Sequence, residues 1–395
     1  MRSADESIGT YLTNLEAVWV TGIAREHSHR PALADLLRAE LHGLTPINEP
    51  AQVECGAPDF VILKDTVPVG HVEAKDLGAD LRRIAESEQI RRYRAALPNL
   101  ILTNYLEFIW FVDGTERRRV TLATKGRNSS SGLKRLYDNY SELNAVLREF
   151  GAQVTPQITT APDLARRLAS VANLIKSSVS IILRLKAQSA LRDQLTYFRR
   201  VLSLNMTAAN FADVYAQTIT YGLFSARCFH NTTEPFTRQQ AAYDLPKSNP
   251  FLRSIYSQLA GPEIEPSLVW VTDHLADVLN RTNIDRVLEQ FATEAGRGDP
   301  VFYFYEDFLS QYDPDLKELR GVYYTPEPVV DYIVRSIHEL LSSTFGLERG
   351  LADRSKVVFS DAETPSTEAH RVMILDPAVG TGTFLASTIS LEHCG

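Results

Sequence analysis

The stretch GAPDFVILKDTVPVGHVEAK, residues 56–75, contains two strand-like runs with charged residues at their ends. FVILK and the later VPVGHVEAK are rich in β-branched residues, which is typical of β-strands. Side chains two residues apart in a strand lie on the same face, so Glu73 and Lys75 project together. If the two strands pair as a hairpin, Asp59 approaches them. We therefore expect two carboxylates and one lysine at one point of a sheet.

This combination is suited to metal-dependent hydrolysis. Two converging carboxylates bind Mg²⁺ through oxygen ligands, and a neighbouring lysine can orient or polarise a water beside a scissile phosphate. The sequence contains PD, then a gap of about a dozen residues, and then ExK on an adjacent strand. This pattern resembles the PD-(D/E)xK nuclease superfamily. The resemblance implies that Asp59, Glu73 and Lys75 are catalytic and that Asp59 and Glu73 bind the metal.

Two further features extend this resemblance. Glu26 lies ahead of the strands, in REHSHRPALADLL, where many members carry an additional acid on the metal side. QIRRY places Gln89 and Tyr93 at a QxxxY spacing, which resembles the motif after the catalytic strands in restriction-subunit nucleases. Residues i and i+4 share one helical face, so both side chains can point toward the cleft. The alternative is a surface hairpin with ordinary salt bridges, followed by a solvated basic helix.

The segment LRRIAESEQIRRYRAAL, residues 81–97, predicts one amphipathic helix that follows the second strand. Its five arginines are Arg82, Arg83, Arg91, Arg92 and Arg94. Such a stripe can contact DNA phosphates, and binding would then depend on salt concentration. A solvated helix face is an equally good interpretation of each arginine taken singly.

A second motif lies near the C-terminal end. The apolar run RVMILD (371–376) predicts a strand that leads into a Gly-rich turn and a helix. Glycines allow a tight turn with close backbone approach, because a Cβ would block a bound ligand or strain a positive φ. DPAVGTGTF resembles motif I of the amino-methylating DNA methyltransferases, which implies an S-adenosylmethionine site in a Rossmann-like domain. The resemblance assigns to the cofactor Asp376, Pro377, Ala378, Gly380, Gly382 and Phe384.

GVYYTPEPVVDYIV, residues 321–334, resembles motif X of the same family. There a Tyr-Thr-Pro turn, here Tyr324, Thr325 and Pro326, borders the methionine part of the cofactor. Thr325 is a suitable N-cap and Pro326 suits a helix start. Motif X before motif I is the order of the adenine-N6 class. The resemblance to this family implies a later motif of the NPPY, DPPY or SPPY type, and the sequence contains none of these. We therefore expect an incomplete methyltransferase domain. The chain would be the N-terminal part of a longer enzyme, or a truncated relative of one.

The chain is therefore expected to be a multidomain protein of α/β and α parts. Residues 1–125 are predicted to form the PD-(D/E)xK nuclease-like α/β domain, and residues 126–134, which are Ser/Gly-rich, a linker. Almost entirely helical patterns over 135–320 predict a helical coupler. Residues 321–395 would begin the methyltransferase domain.

Composition limits the other possibilities. A net charge of −8 gives no global attraction to nucleic acid or to an anionic membrane, although a local basic face can still bind DNA. Three scattered cysteines fit a reducing cytoplasm. The N-terminus lacks the apolar core of a signal peptide, and no run of eighteen apolar residues predicts a membrane span.

These motifs resemble single-chain restriction–modification enzymes of the type IIG or type ISP kind. A GxxxxGK[ST] phosphate loop is missing from the sequence, which favours the helicase-free IIG layout. The partner would be double-stranded DNA, with Mg²⁺ and S-adenosylmethionine as cofactors. A separate polypeptide that completes the methyltransferase is a further candidate partner. Three alternatives remain: an adenine methyltransferase with a decayed nuclease, a truncated non-enzymatic protein that binds DNA or a partner, and methylation of RNA or protein.

Overall fold

The protein has a mixed α/β structure. A computed structural model divides it into two compact units, Met1–Tyr312 and Asp313–Gly395. The residues that the structure describes are 4–22, 26–48, 56–65, 67–126, 132–201, 205–232, 234–244, 256, 261, 264–294, 300–313, 325, 327–361, 364–379 and 382–393.

The first unit contains a six-stranded sheet in which the strands follow each other in chain order. The strands are β1 (Thr45–Asn48), β2 (Phe60–Lys64), β3 (Val67–Ala74), β4 (Asn99–Thr103), β5 (Glu107–Val112) and β6 (Thr115–Thr121). Neighbours are antiparallel except β3 and β4, which are parallel with Glu73 opposite Leu102. A small separate pair, β7 (Ala123–Lys125) and β8 (Leu133–Arg135), follows. Parallel neighbours require a crossover connection, and helices supply it here.

The crossover between β3 and β4 consists of two helices, α3 (Leu81–Ala85) and α4 (Glu88–Ala96), where the sequence predicted a single helix. The backbone of Ser87 is extended, and its hydroxyl accepts a hydrogen bond from the Ile90 amide at 3.4 Å. Asp80 caps α3 in the same manner, with its carboxylate accepting from the Arg82 amide at 3.0 Å. Because an N-cap residue stands outside helical geometry, Ser87 ends the first helix and starts the second.

The two faces of the sheet pack against different helices. Phe60, Val72 and Ile101 face α1 (Ala4–Trp19), α2 (Arg30–Glu40) and α5 (Tyr140–Ala152) in one apolar core. Leu100, Leu102, Ile109 and Phe111 point to the opposite face, where α4 and α6 (Ala161–Leu185) cover them. This alternation follows from the two-residue period of a strand. It places Glu73, which is paired with Leu102, on the face that carries α4.

The rest of the first unit is helical. Its further helices are α7 (Ala190–Val201), α8 (Ala208–Phe229), α9 (Arg238–Asp244), α10 (Val269–Asn280), α11 (Ile284–Glu294) and α12 (Pro300–Tyr312). They share one continuous apolar core with the α4 face of the sheet. Among the described helices, α6 is long and apolar enough to cross a membrane by length and composition. One of its faces is buried in this core, as is usual for the central helix of a helical domain.

The second unit contains α13 (Glu327–Ser343), α14 (Thr383–His393) and an antiparallel pair, β9 (Lys356–Asp361) and β10 (Thr364–His370). The predicted strand at 371–376 is wrong, because these residues adopt no regular structure. Met373 and Leu375 are 79% and 85% exposed. A strand of a parallel sheet depends on paired neighbours and on cover over both faces. The described part of the second unit provides neither at this segment.

Candidate active site

The start of β2 and the end of β3 bring the first acid into position. The antiparallel register pairs Phe60 with Val72, so Asp59 lies beside the last residues of β3. Asp59 Oδ2 accepts a hydrogen bond from the Ala74 amide at 2.7 Å. Asp59 itself is only 8% exposed. The carboxylate is therefore fixed at the end of the strand that carries Glu73.

Glu73 lies at the centre of the cluster and is 3% exposed. Its Oε1 accepts hydrogen bonds from Lys75 Nζ at 2.6 Å and from Gln89 Nε2 at 3.4 Å. Its Oε2 is buried and has no hydrogen-bond partner among the described residues. Burial, together with the negative charge of Asp59, raises the pKa of Glu73 to about 7, although Lys75 acts in the opposite direction.

Helix α4 contributes the other two predicted residues. Gln89 Oε1 accepts from Lys75 Nζ at 3.0 Å, and Gln89 Nε2 donates to the Tyr93 hydroxyl at 3.3 Å. Burial and the charge of Glu73 raise the pKa of Tyr93 well above its usual value, so Tyr93 stays a neutral phenol. The structure thus brings Asp59, Glu73, Lys75, Gln89 and Tyr93 into one hydrogen-bonded cluster between the sheet and α4.

A residue that the sequence did not single out also belongs to this cluster. Arg30, the first residue of α2, donates from Nη2 to Asp59 Oδ1 and forms an ion pair with it. The side chain of Arg30 is 13% exposed. No sequence motif marks Arg30, because its proximity to Asp59 depends on how α2 packs against the sheet.

The donor set fits a hard divalent cation. Mg²⁺ is usually bound through one or two carboxylates, with waters and substrate phosphate oxygens completing its shell. Asp59 and Glu73 supply two carboxylates, and the unpartnered Oε2 of Glu73 is an available oxygen. The described residues contain no group of three His, Cys, Asp or Glu side chains that could hold a metal. Glu26 begins a 3-10 helix, Glu26–His29, but its side chain lies outside the described residues.

The arginines of α3 and α4 differ in their surroundings. Arg94 donates to the Gly114 carbonyl at 2.9 Å and stacks over Phe111, so its role is structural. Arg91 and Arg92 form ion pairs with Glu86 and Glu88 on the protein surface. The remaining two, Arg82 and Arg83, are exposed.

The second unit contains part of the two methyltransferase-like motifs. Asp376 Oδ1 accepts from the Ala378 amide at 3.1 Å and closes a turn through Pro377. Gly382 has a φ of 85°, which favours glycine, and α14 begins at the next residue. Half-buried Phe384 packs against a small core. Thr325 is described, whereas Tyr324, Pro326 and Gly380 lie outside the described residues.

Comparison with solved structures shows a weak structural similarity. No protein-family model matches the sequence, and no curated protein matches it. The chain is similar to a protein in a cryo-EM structure of the DrdV–DNA complex, with 19% sequence identity and a TM-score of 0.38. The similarity covers 98% of this chain and 35% of that chain, so this chain spans about a third of its neighbour's length.

Proposed function

We propose that the first unit contains an Mg²⁺-dependent DNA endonuclease site and that the chain is the N-terminal part of a fused restriction–modification enzyme. The second activity would be site-specific methylation of adenine N6 with S-adenosylmethionine as donor. The fusion would place the hydrolytic and methylating sites in one polypeptide, with the helices between them setting their separation.

The observation that carries the nuclease proposal is the convergence on Glu73. Asp59, Lys75 and Gln89 come from three different segments, and all of them surround one buried carboxylate. An ordinary surface hairpin with salt bridges would leave these groups solvated. Burying two carboxylates side by side is costly unless cations compensate them. Lys75 and Arg30 supply part of that compensation here, and a divalent cation would complete it.

Each residue has a distinct task in this proposal. Asp59 and Glu73 would hold Mg²⁺, which when bound supplies positive charge to the scissile phosphate. Lys75, held by Glu73 and Gln89, would orient the attacking water and stabilise negative charge that develops on the phosphate. Gln89 is a positioning residue, because it fixes the ammonium group of Lys75. Tyr93 anchors Gln89 through its hydroxyl.

The methyltransferase part of the proposal rests on the sequence motifs. The turn at Asp376, closed on the Ala378 amide, and the positive φ of Gly382 before α14 suit a Gly-rich loop that approaches a nucleoside-like ligand closely. S-adenosylmethionine, when bound, supplies the methyl group. The residues proposed to contact it are those that the two motifs assign to the cofactor: Tyr324, Thr325, Pro326, Asp376, Pro377, Ala378, Gly380, Gly382 and Phe384.

The nuclease is tested with the purified chain on double-stranded DNA, with and without Mg²⁺. Glu73→Gln and Lys75→Ala should each slow Mg²⁺-dependent cleavage by about a hundredfold or more, since several kcal/mol of transition-state stabilisation are removed. Glu149→Gln and Lys134→Ala are the matched controls, because both residues are exposed and lie outside the cluster. Unchanged cutting by Glu73→Gln would refute the nuclease assignment, and a wild-type chain that never cuts would favour a decayed nuclease.

The methylation is tested in the cells that make the protein. Disrupting the gene should remove N6-methyladenine at one DNA sequence motif, as read by methylation-sensitive sequencing of the genome. Restoring the gene with Asp376→Ala should leave those sites unmethylated. A methylation map that does not change after disruption would refute this half of the proposal.

A further inference from the structure

A polar groove runs between α4 and α6 on the surface of the first unit. It encloses a cavity of about 740 Å³. Its α6 wall is a single helical face with polar residues at spacings of three and four, namely Ser170, Asn173, Ser177, Ser180 and Arg184. The three serine hydroxyls donate to carbonyl oxygens one turn earlier in α6. These small side chains therefore stay close to the helix backbone.

The groove continues into a second cavity of about 490 Å³. Arg91, Ala95 and Ser170 line both cavities, so the two are contiguous. The second cavity adds Arg166 and Arg167 from the preceding turn of α6. From residue 166 to residue 184 the helix rises about 27 Å at 1.5 Å per residue. This length corresponds to about eight base pairs of B-form DNA at 3.4 Å per base pair.

The lining of the groove carries a net positive charge although the whole chain is acidic, and most of its cations are paired with carboxylates. The described lining contains arginine or lysine at seven positions and aspartate or glutamate at three. Lys176 is held in place by an ion pair with Asp213 at 2.7 Å, whereas Arg184 is exposed. Arginine, lysine, serine and asparagine are residues that commonly contact phosphates in protein–DNA complexes.

Only some of the groove's arginines are available to a ligand, since Arg94 donates to the Gly114 carbonyl and Arg167 pairs with Asp113 and Asp163. Arg91 pairs with Glu86 at 2.9 Å, and these side chains are 65% and 60% exposed. Glu88, the partner of Arg92, is 87% exposed. Exposed pairs of this kind contribute about 0–1 kcal/mol. A polyanion that offers several phosphates at once can therefore replace them.

The groove also lies next to the candidate active site. Gln89, which hydrogen bonds to Lys75, and Arg92, which lines the groove, are three residues apart on α4. Residues at this spacing are neighbours on a helix surface. A strand that lies in the groove would therefore pass beside the cluster around Glu73.

We infer that the groove between α4 and α6 binds the phosphate backbone of double-stranded DNA and guides it to the site around Glu73. The inference rests on the proposed nuclease function for the choice of DNA as the polyanion. Binding here would be independent of base sequence, because the groove offers cations and small polar side chains to phosphates. The recognition of a particular sequence would come from elsewhere.

The test measures binding of a fluorescent DNA duplex to the purified chain by anisotropy, in EDTA and over a series of salt concentrations. The double variant Arg91→Gln/Arg184→Gln should bind about tenfold more weakly at low salt. The slope of log affinity against log salt should fall by about two, since each lost phosphate contact removes roughly 0.9. Glu88→Gln removes an acid from the groove and should tighten binding, a result that misfolding could not produce.

The control is Lys134→Gln/Arg286→Gln, which removes the same charge at exposed positions outside the groove lining. An unchanged salt slope in the groove variant, an equal loss in the control, or no DNA binding by the wild-type chain would overturn the inference. An RNA duplex that competes better than DNA would overturn the choice of ligand. The binding assay contains no metal, so its result does not depend on cleavage. Weaker DNA binding by the groove variant, together with unaltered cutting by Glu73→Gln in the separate cleavage assay, would support the groove and refute the nuclease.

Discussion

Arg30 and Asp59 are joined by an ion pair in the candidate site, although 28 residues separate them in the sequence. Arg30 donates to Oδ1 of the carboxylate, and the Ala74 amide donates to Oδ2. Both oxygens of the first proposed metal ligand are thus already engaged. A cation that binds Asp59 must compete with the guanidinium group.

The first prediction follows from this competition. Arg30→Gln should bind Mg²⁺ about tenfold more tightly than the wild type in the absence of DNA, a gain of about 1.4 kcal/mol. The physical reason is that the metal no longer has to displace a positive charge. Isothermal titration calorimetry with Mg²⁺ measures this directly. Arg38→Gln is the matched control, because Arg38 pairs with the exposed Asp35. Equal or weaker affinity in Arg30→Gln would show that Arg30 does not compete with the metal.

A second prediction concerns pH. In the folded protein the pKa of Glu73 is raised to about 7, mainly by burial, while an unfolded glutamate titrates near 4.5. Between these values the folded state binds more protons than the unfolded state, so stability should fall as pH rises through this window. Glu73→Gln is neutral throughout. In metal-free buffer its melting temperature should exceed that of the wild type at pH 8.

The same experiment has an internal check. The difference between Glu73→Gln and the wild type should shrink as the pH is lowered toward 4.5, because both side chains are then neutral. Glu149→Gln changes an exposed carboxylate and should show no such convergence. Parallel melting curves at all pH values for Glu73→Gln and the wild type would mean that Glu73 titrates normally.

The sequence predicted the proximity of the candidate site residues better than it predicted their surroundings, and the roles of these residues stay predictions. The strands β2 and β3 could be located because β2 is a continuous apolar run and β3 is rich in valine, and the hairpin then placed Asp59 beside Glu73. Helical periodicity placed Gln89 and Tyr93 on one face of the helix that follows these strands. The positions of these residues depend on short-range geometry, which a sequence pattern can predict.

The features that were missed depend on long-range packing or on single residues. Arg30 reaches Asp59 only because α2 docks on the sheet, which no local pattern encodes. The break at Ser87 is one capping residue inside a strong helical pattern. The run at 371–376 has the composition of a buried strand, but a strand forms only where neighbours pair with it. The short β1 also escaped notice, since Thr45–Asn48 contains a proline and little apolar surface.

The third prediction tests Gln89 as a positioning residue. Gln89→Leu removes the hydrogen bonds to Lys75 and Tyr93 but keeps a side chain of similar size. Cleavage should slow by about ten- to a hundredfold with little change in DNA affinity, since a misplaced catalytic group costs about this much. Single-turnover cleavage at saturating DNA measures it.

Tyr93→Phe is the informative comparison for Gln89→Leu. It removes only the hydroxyl that anchors Gln89, so cleavage should fall less than with Gln89→Leu. If Gln89→Leu cuts at the wild-type rate, the hydrogen bond to Lys75 has no role in the chemistry, and Gln89 contributes packing alone.

The last prediction tests the packing that supports β3. A Cβ added at Gly70 would collide with the Phe150 ring and lie 2.9 Å from Asn99 Nδ2. Asn99 is itself hydrogen bonded to two carbonyl groups and to Trp110. Gly70→Ala should therefore reduce the free energy of unfolding by about 1–3 kcal/mol, as overpacking does in a filled core. Gly9→Ala is the control, because that Cβ would meet nothing within 4 Å and alanine favours a helix by about 0.5–1 kcal/mol. Urea denaturation of both variants gives the comparison. Equal stability of Gly70→Ala and the wild type would mean that α5 does not pack closely on the strand that carries Glu73.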